Sequence, residues 1–510
     1  MYPGQWAARA PQRPAVITAE TGAVLTYGEL EDRSIRLANV LLQAGLRRGD
    51  VVAVLSDNDA RVFEVYWAAQ RSGLWFTAVN HHLSADEVAY ILRDSGARAV
   101  VVSASQTATA SAVTHHLPDI LVRLAFGGEV PGFQPYEEAV ATASSTPPAD
   151  QPRGAEMLYS SGTTGRPKGV RQPLPENQQV WEGPVRLAEM CSERLGMGEH
   201  TTYLSPAPIY HAAPLRFGAA IHALGGTVLM MRRFDPAATL AAIERYRVTD
   251  AQFVPTMFVR MLKLDPDHRV GRDLSSLRTA IHAAAPCPVE VKQSMIDWWG
   301  PKLVEYYAAT ESLGMTLIDS QGWLARPGSV GQAIVGVLHI CDDAGNELPA
   351  GEAGTVYFER DQIPFEYHND PAKTAGARHP AHPMWSSVGD IGYLDDEGYL
   401  YLTDRKAFTI ISGGVNIYPQ EVEDVLTLHP KVIDVGVIGV PDHEMGESVK
   451  AFVQPAPGAQ PGPDLEREII DFVRSKIAHY KAPRSVAFLD QLPRTPTGKL
   501  VKGELKKQAG

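Results

Sequence analysis

The stretch Leu158-Tyr-Ser-Ser-Gly-Thr-Thr-Gly-Arg-Pro-Lys-Gly-Val170 decides how the rest of the chain is read. Gly162, Gly165 and Gly169 let the backbone turn and approach a ligand closely, since glycine lacks a Cβ. Ser160, Ser161, Thr163 and Thr164 add hydroxyl donors, and Lys168 adds a mobile ammonium. With exposed backbone N–H groups, this composition suits a polyphosphate. The P-loop of NTPases does not fit. Pro167 precedes the lysine where that motif needs glycine, Gly169 follows it where a hydroxyl is needed, and Pro173 and Pro175 exclude a long helix downstream. The other reading is a surface loop rich in Ser, Thr and Gly.

At 510 residues the chain exceeds one ordinary hydrophobic core, so two or more domains are expected. A formal charge of −12 argues against non-specific binding to nucleic acid or anionic membranes. It also means that an anionic ligand needs local lysines, arginines or a divalent cation. Cys191, Cys287 and Cys341 lie far apart, without the spacing of a disulfide framework or zinc site. No apolar leader opens the chain and no uncharged run is long enough to span a bilayer, so a cytoplasmic protein is expected.

Upstream of the loop, Thr26-Tyr-Gly-Glu29 reads as a capping box opening a helix to residue 46, and Ser84-Ala-Asp-Glu87 as another. Apolar strands at Val51–Leu55 and Ala99–Val102 alternate with these helices, the pattern of an α/β fold with a largely parallel sheet. Downstream, strands are expected over 227–231 and 277–282, with a helix over 236–246 between them. The apolar, small-residue segment 206–221 contains His211, which either lines a ligand channel or is a partnered core histidine. Ala283-Ala-Ala-Pro286, which includes Ala284, leaves room for a flat ligand against the backbone. In Glu305-Tyr-Tyr-Ala-Ala-Thr-Glu311, Tyr307 offers a π face, Thr310 a hydroxyl and Glu311 a hard ligand for Mg²⁺. A buried tyrosine pair with a solvated glutamate is the competing reading. Asp390, before a hairpin, suits the two hydroxyls of a ribose, though aspartate is common before hairpins.

From about residue 328 the texture changes to short β segments, and 405–510 reads as a separate α+β unit. The expected organisation is a large N-terminal domain (1–404) of layered α/β sheets with a small β-barrel-like subdomain at about 328–404. A small mobile α+β lid (405–510) follows.

Together these stretches resemble the adenylate-forming superfamily of acyl-CoA synthetases, peptide-synthetase adenylation domains and firefly-type luciferases. The resemblance rests on residues 159–169, Tyr-Ala-Ala-Thr-Glu (307–311), Gly-Asp (389–390), Asp-Arg-Lys (404–406), 412–423 and Pro-Thr-Gly-Lys (496–499), in that order. It implies that a carboxylate attacks the α-phosphate of Mg·ATP to give an acyl-adenylate and pyrophosphate, and that a thiol then displaces AMP. Ser160, Ser161, Gly162, Thr163, Thr164, Gly165 and Lys168 would grip the β- and γ-phosphates, with Thr163 counted among the catalytic residues. Ala284 and Tyr307 would meet adenine, Thr310 the α-phosphate, Asp390 the ribose and Arg405 the ribose or phosphate. Glu311 would hold Mg²⁺, and Lys499 would reach in from the small domain to the reacting oxygens.

By the same resemblance the small domain rotates about a hinge at Ala407, Gly413 and Gly414 help form the pantetheine tunnel, and His211, Ala212 and Leu215 line the acyl pocket. Several positions depart from the family pattern: Ala407-Phe408 at the hinge where a charged residue is usual, Ala308 for glycine, Val388 for threonine, and Arg171-Gln-Pro for Thr-His. The expected function is an acyl-CoA synthetase with ATP, CoA and a bulky or medium-to-long apolar carboxylic acid as substrates. Free-standing architecture is expected, since no carrier-protein motif follows, and a homodimer is left open. The alternatives are an aryl-CoA ligase, an enzyme that loads a carrier protein, or a degenerate member that only binds its ligands.

Overall fold

The computed structural model describes residues 2–114, 119–160, 167–183, 185–269, 271–405, 408–413, 415–494 and 500–509. Among them, two large sheets and one small one form, of 14, 8 and 5 strands. The 8-stranded sheet has a parallel centre, Trp75–Val79 beside Val51–Leu55 beside Ala97–Ser103. These strands are almost wholly buried, as expected where helices cover both faces. Ala155–Ser160 joins the centre in parallel and then pairs antiparallel with Lys168–Arg171, so that Ser160 stands opposite Lys168. A strand, not a helix, therefore follows the glycine-rich stretch, in agreement with the exclusion of a P-loop.

The 14-stranded sheet begins with parallel strands that include Thr202–Ser205, Asp250–Phe253, Thr279–His282 and Leu303–Ala308. It then becomes antiparallel through Met315–Asp319, Ser329–Val335, Leu400–Arg405 and Asp390–Leu394. The β-rich segment thus extends the second sheet, bringing Asp390 to the same edge of the molecule as the end of the strand that carries Tyr307. Beyond it, Val432–Asp442, Gly446–Pro455 and Ser485–Phe488 pair with one another. With the helices Pro419–Thr427 and Pro463–Arg474, they enclose a hydrophobic core of their own around Val422, Val437, Val453 and Ile469. The protein is a mixed α/β molecule with a large N-terminal and a small C-terminal domain. No helix among the described residues is long and apolar enough to cross a membrane.

Both predicted capping boxes form: Thr26 opens Tyr27–Gln43 and Ser84 opens Ala85–Asp94, each with the reciprocal glutamate bond. The segment after His211, left without an element by the sequence, is the helix Ala212–Leu224, closed by Gly225 at φ 81°. It crosses the buried helix Arg61–Gln70 at Gly218, where an added Cβ would stand 2.3 Å from a Phe63 ring carbon. Nearby, Trp67 Nε1 donates to His222 Nδ1 at 3.3 Å, and burial lowers the His222 pKa to about 3, so that the imidazole is neutral. Gly218 is thus a packing residue, and it sets the approach of the helix whose first turn faces the cleft described below. Gly218→Ala is expected to lower stability by about 1–3 kcal/mol through overpacking, measured as a shift in the urea midpoint; an unchanged midpoint would contradict this packing account.

Candidate active site

A continuous cleft of about 2320 Å³ runs between the sheet ends and the small domain. Tyr307 ends the strand Leu303–Ala308, and its hydroxyl donates to Asp390 Oδ2 at 2.6 Å. Ala308 and Val388 line the cleft beside them. Ala284, just past the strand Thr279–His282, adopts φ 77°, a left-handed conformation that costs alanine about 1 kcal/mol or more. Arg405 stands opposite Asp390 in the strand register.

The alternative of a solvated Glu311 is overturned, since that side chain is buried, and the strand behind Tyr307 is closed off as well. Glu305 is buried and 2.6 Å from the fully buried Lys292, whose ammonium also lies 4.8 Å from the Trp323 ring centre. Burial raises the Glu305 pKa, opposed by Lys292. His282, in the next strand, is pushed well below its ordinary value by burial and by the Lys292 charge. Tyr306, also buried, accepts a hydrogen bond from Gln252 at 3.1 Å. The strand that presents Tyr307 is therefore anchored from behind by a paired, water-excluded network.

The chain turns sharply after Glu311, with Ser312 at φ 55°. Three side chains hold that turn. Gln172 Nε2 and Arg216 Nη1 donate to Ser312 Oγ at 2.8 and 3.2 Å, and Arg360 Nη1 donates to the Ser312 carbonyl at 3.0 Å. Arg216 also donates to the Thr310 carbonyl at 3.2 Å and pairs with Glu156 at 2.6 Å. Glu156 in turn accepts from Tyr66 at 3.1 Å. One guanidinium fork thus ties the helix Ala212–Leu224 to the strand Ala155–Ser160 and to the Thr310–Ser312 turn. Gln172, one of the departures from the family pattern, takes part in the same clamp.

Glu311 is buried and accepts from the Tyr367 hydroxyl at 2.8 Å. Lys373 lies over the Tyr367 ring, 4.4 Å from its centre, and beside the Lys168 ammonium. Lys168 is 3.9 Å from Asp370. Burial first, and then the neighbouring Lys168 charge, bring the Lys373 pKa down to about 8. Glu311, Thr310 and Lys373 line the cleft together with Ser160 and Pro167. Among the described residues no group of three or more metal-ligating side chains forms a cage. A single carboxylate at a cleft is the donor set that suits Mg²⁺ arriving with a polyphosphate, since that ion keeps phosphate and water ligands.

At the other side of the cleft, His211 precedes the helix and lines the space with Ala212, Ala213 and Phe217, so the channel reading of His211 fits its position. Leu215 does not line it: this side chain is fully buried in the hydrophobic core, a correction to its expected place in an acyl pocket. Gly413 (φ 57°) sits in the turn after Ile410–Ser412, against Met445, and does not line the cleft in this arrangement. Arg494 and Leu500 both line it. Ser161, Gly162, Thr163, Thr164, Gly165, Ala407, Gly414 and Lys499 lie outside the described residues, as does the side chain of Arg405. Sequence reasoning missed Glu156, Arg216, Ser312, Tyr367 and Lys373.

Replacing Ser312 separates its hydrogen bonds from its backbone strain. Ser312→Ala is expected to cost about 1–2 kcal/mol, and Ser312→Gly less, because glycine accepts φ 55° without strain. Denaturant midpoints of the two variants test this, and equal losses would contradict the strain account.

Comparisons with known proteins agree on one family. Residues 4–368 match the family of AMP-binding enzymes, and residues 421–499 match the AMP-binding enzyme C-terminal domain. A feruloyl-CoA synthase of an Amycolatopsis species is 34% identical, over 99% of this chain and 99% of its own. The long-chain-fatty-acid–CoA ligase FadD13 of Mycobacterium tuberculosis is 31% identical, over 99% of this chain and 97% of its own. The crystal structure of ATP-bound MatB from Rhodopseudomonas palustris superposes with a TM-score of 0.83 at 26% identity, covering 100% of this chain and 99% of the other. The chain belongs to the AMP-binding enzyme family, and the enzyme is an AMP-forming acid–thiol ligase.

Proposed function

We propose that the protein activates an apolar or aromatic monocarboxylic acid with Mg·ATP and transfers the acyl group to CoA. The observation that carries this reading is the convergence, on one cleft, of the Tyr307–Asp390 pair, Glu311 with its lysines, and the compartment around Ala212 and Phe217. The nucleoside lies between Ala284 and Tyr307, with Asp390 and Arg405 at the ribose. Ser160, Ser161, Gly162, Thr163, Thr164, Gly165 and Lys168 surround the β- and γ-phosphates, and Thr310 contacts the α-phosphate. Mg²⁺, with Glu311 as its protein ligand, supplies charge neutralisation at the phosphates when bound.

A substrate carboxylate oxygen attacks the α-phosphorus, the bond to the bridging oxygen breaks, and pyrophosphate leaves with that electron pair. Positioning and electrostatics carry this step, because no proton has to move. Lys499 approaches the α-phosphate and carboxylate oxygens from the small domain; Arg494 and Leu500, on either side of it in the sequence, both line the cleft. In the second step the CoA thiolate attacks the acyl carbon, the bond to the adenylate oxygen breaks and AMP departs. Rotation about Ala407 brings the hairpin with Gly413 and Gly414 to the thiol's path. In the present arrangement that hairpin leaves Ile411 55% and Val415 46% exposed, apolar surface that a second docking position would cover.

The compartment beside His211 has small, apolar walls, and Arg216 at its side is neutralised by Glu156. This favours an acid without a second charge, such as the ferulate or long-chain acids named for the relatives above. Ferulate or dodecanoate is expected to give a higher kcat/KM than acetate in acyl-CoA formation; the reverse order would contradict the assignment of the compartment. Lys499→Ala is expected to abolish adenylate formation and leave CoA attack on supplied acyl-adenylate nearly intact. Equal loss of both half-reactions would contradict the two-arrangement scheme.

A further inference from the structure

A second lysine joins the one in the glycine-rich motif. Lys168 lies 3.9 Å from Asp370, and Lys373, beside it, lines the cleft. Two contacts fix Lys373. It lies in the first turn of the helix Pro371–Gly376, where the Asp370 carboxylate accepts from its backbone N–H at 3.0 Å. Its ammonium rests on the Tyr367 ring, and the Tyr367 hydroxyl binds Glu311. Held in this way, the ammonium lies beside that of Lys168 and within the field of the carboxylate that suits Mg²⁺.

Two ammonium groups side by side repel each other, and partial burial strengthens the repulsion. Asp370 lies 3.9 Å from Lys168, and the charges of Glu311 and Asp370 together favour the charged form of Lys373. A metal ion on Glu311 would withdraw the first of these two charges. Lys373 would then face the cleft with its positive charge less compensated, next to the phosphates that bring the metal. A phosphate there would replace the compensation that Glu311 gives up.

We propose that Lys373 is a binding residue for the pyrophosphate-bearing end of ATP, forming with Lys168 a two-lysine clamp around the β- and γ-phosphates. This rests on the reading of the cleft as an ATP site. It assigns to Lys373 the discrimination between a polyphosphate and a monophosphate nucleotide, since the clamp lies on the Glu311 side of the cleft and the nucleoside contacts lie with Tyr307 and Asp390.

The test is calorimetric titration of the full-length protein with Mg·ATP, Mg·pyrophosphate and AMP, for the wild type, Lys373→Met and Lys373→Arg. Methionine keeps the aliphatic stem over Tyr367 and removes the charge. Lys373→Met is expected to weaken ATP and pyrophosphate about tenfold, as for loss of one charge-assisted contact, and to leave AMP unchanged. Lys373→Arg is expected to retain most of the affinity for both phosphates. Unchanged ATP and pyrophosphate binding in Lys373→Met would overturn the proposal, and so would an equal loss for AMP. If Lys373→Met does not fold, Lys373→Gln carries the same expectations. A wild type that binds AMP and ATP while the variants differ in neither defeats the clamp alone, whereas a wild type that binds none of the three ligands defeats the ATP-ligase reading with it.

Discussion

The guanidinium of Arg216 is the tie on which the site depends. A single planar fork reaches Glu156 on one sheet, Ser312 Oγ and the Thr310 carbonyl on the turn after the other, and it is carried by the helix that lies between them. Partly buried ion pairs of this kind contribute little net stability, because desolvation offsets most of the attraction, but they fix geometry. Fixed here are the wall of the proposed acid compartment and the turn that presents Thr310 and Glu311. The helix cannot slide to release the fork, since Gly218 locks it against Phe63 and His222 binds Trp67 on its far side. The proposed acid and phosphate ends of the cleft are thereby held as one unit.

A chain with a formal charge of −12 that binds a polyanion has to arrange its cations locally. It does so by pairing. Lys292 is fully buried with Glu305 behind the Tyr307 strand, Arg216 sits on Glu156, and the Lys168–Lys373 pair sits on Asp370 and Glu311. The first pair is buried and serves architecture, and the second borders the cleft and holds its turn. The third opens onto the cleft through Lys373, and Glu311 beside it has one oxygen engaged by Tyr367. The same interaction type is thus structural where both partners are buried and available to a ligand where a lysine opens onto the cleft.

Much of the fold is legible in the sequence because its signals are local. The capping boxes at Thr26 and Ser84 involve residues three apart, and the buried parallel strands announce themselves as unbroken apolar runs. Ser160, Tyr307, Glu311 and Asp390 line one cleft. What escapes the sequence is tertiary. Glu156 and Ser312 lie 60 and 96 residues from Arg216, and a lone arginine or lysine carries no signal of the partner it meets. Leu215 was misplaced for a helical reason: at 100° per residue Ala212, Ala213, Arg216 and Phe217 share the arc that faces the cleft, and Leu215 falls beyond its edge, in the core. Lys373 lies in a turn-forming segment whose proximity to Lys168 arises only from the pairing of Glu366–Tyr367 with Lys168–Arg171.

The central claim is that this cleft converts a carboxylate into an adenylate and then into a thioester. Mass spectrometry of the protein incubated with a pool of carboxylic acids and Mg·ATP, with and without CoA, tests it most directly. The account predicts acyl-AMP without CoA and, when CoA is added, an acyl-CoA of an apolar or aromatic acid with release of AMP. Acyl-AMP that never passes to CoA would contradict the CoA-ligase reading and point to a carrier-protein thiol, and the absence of both products across the pool would contradict the assignment of the cleft.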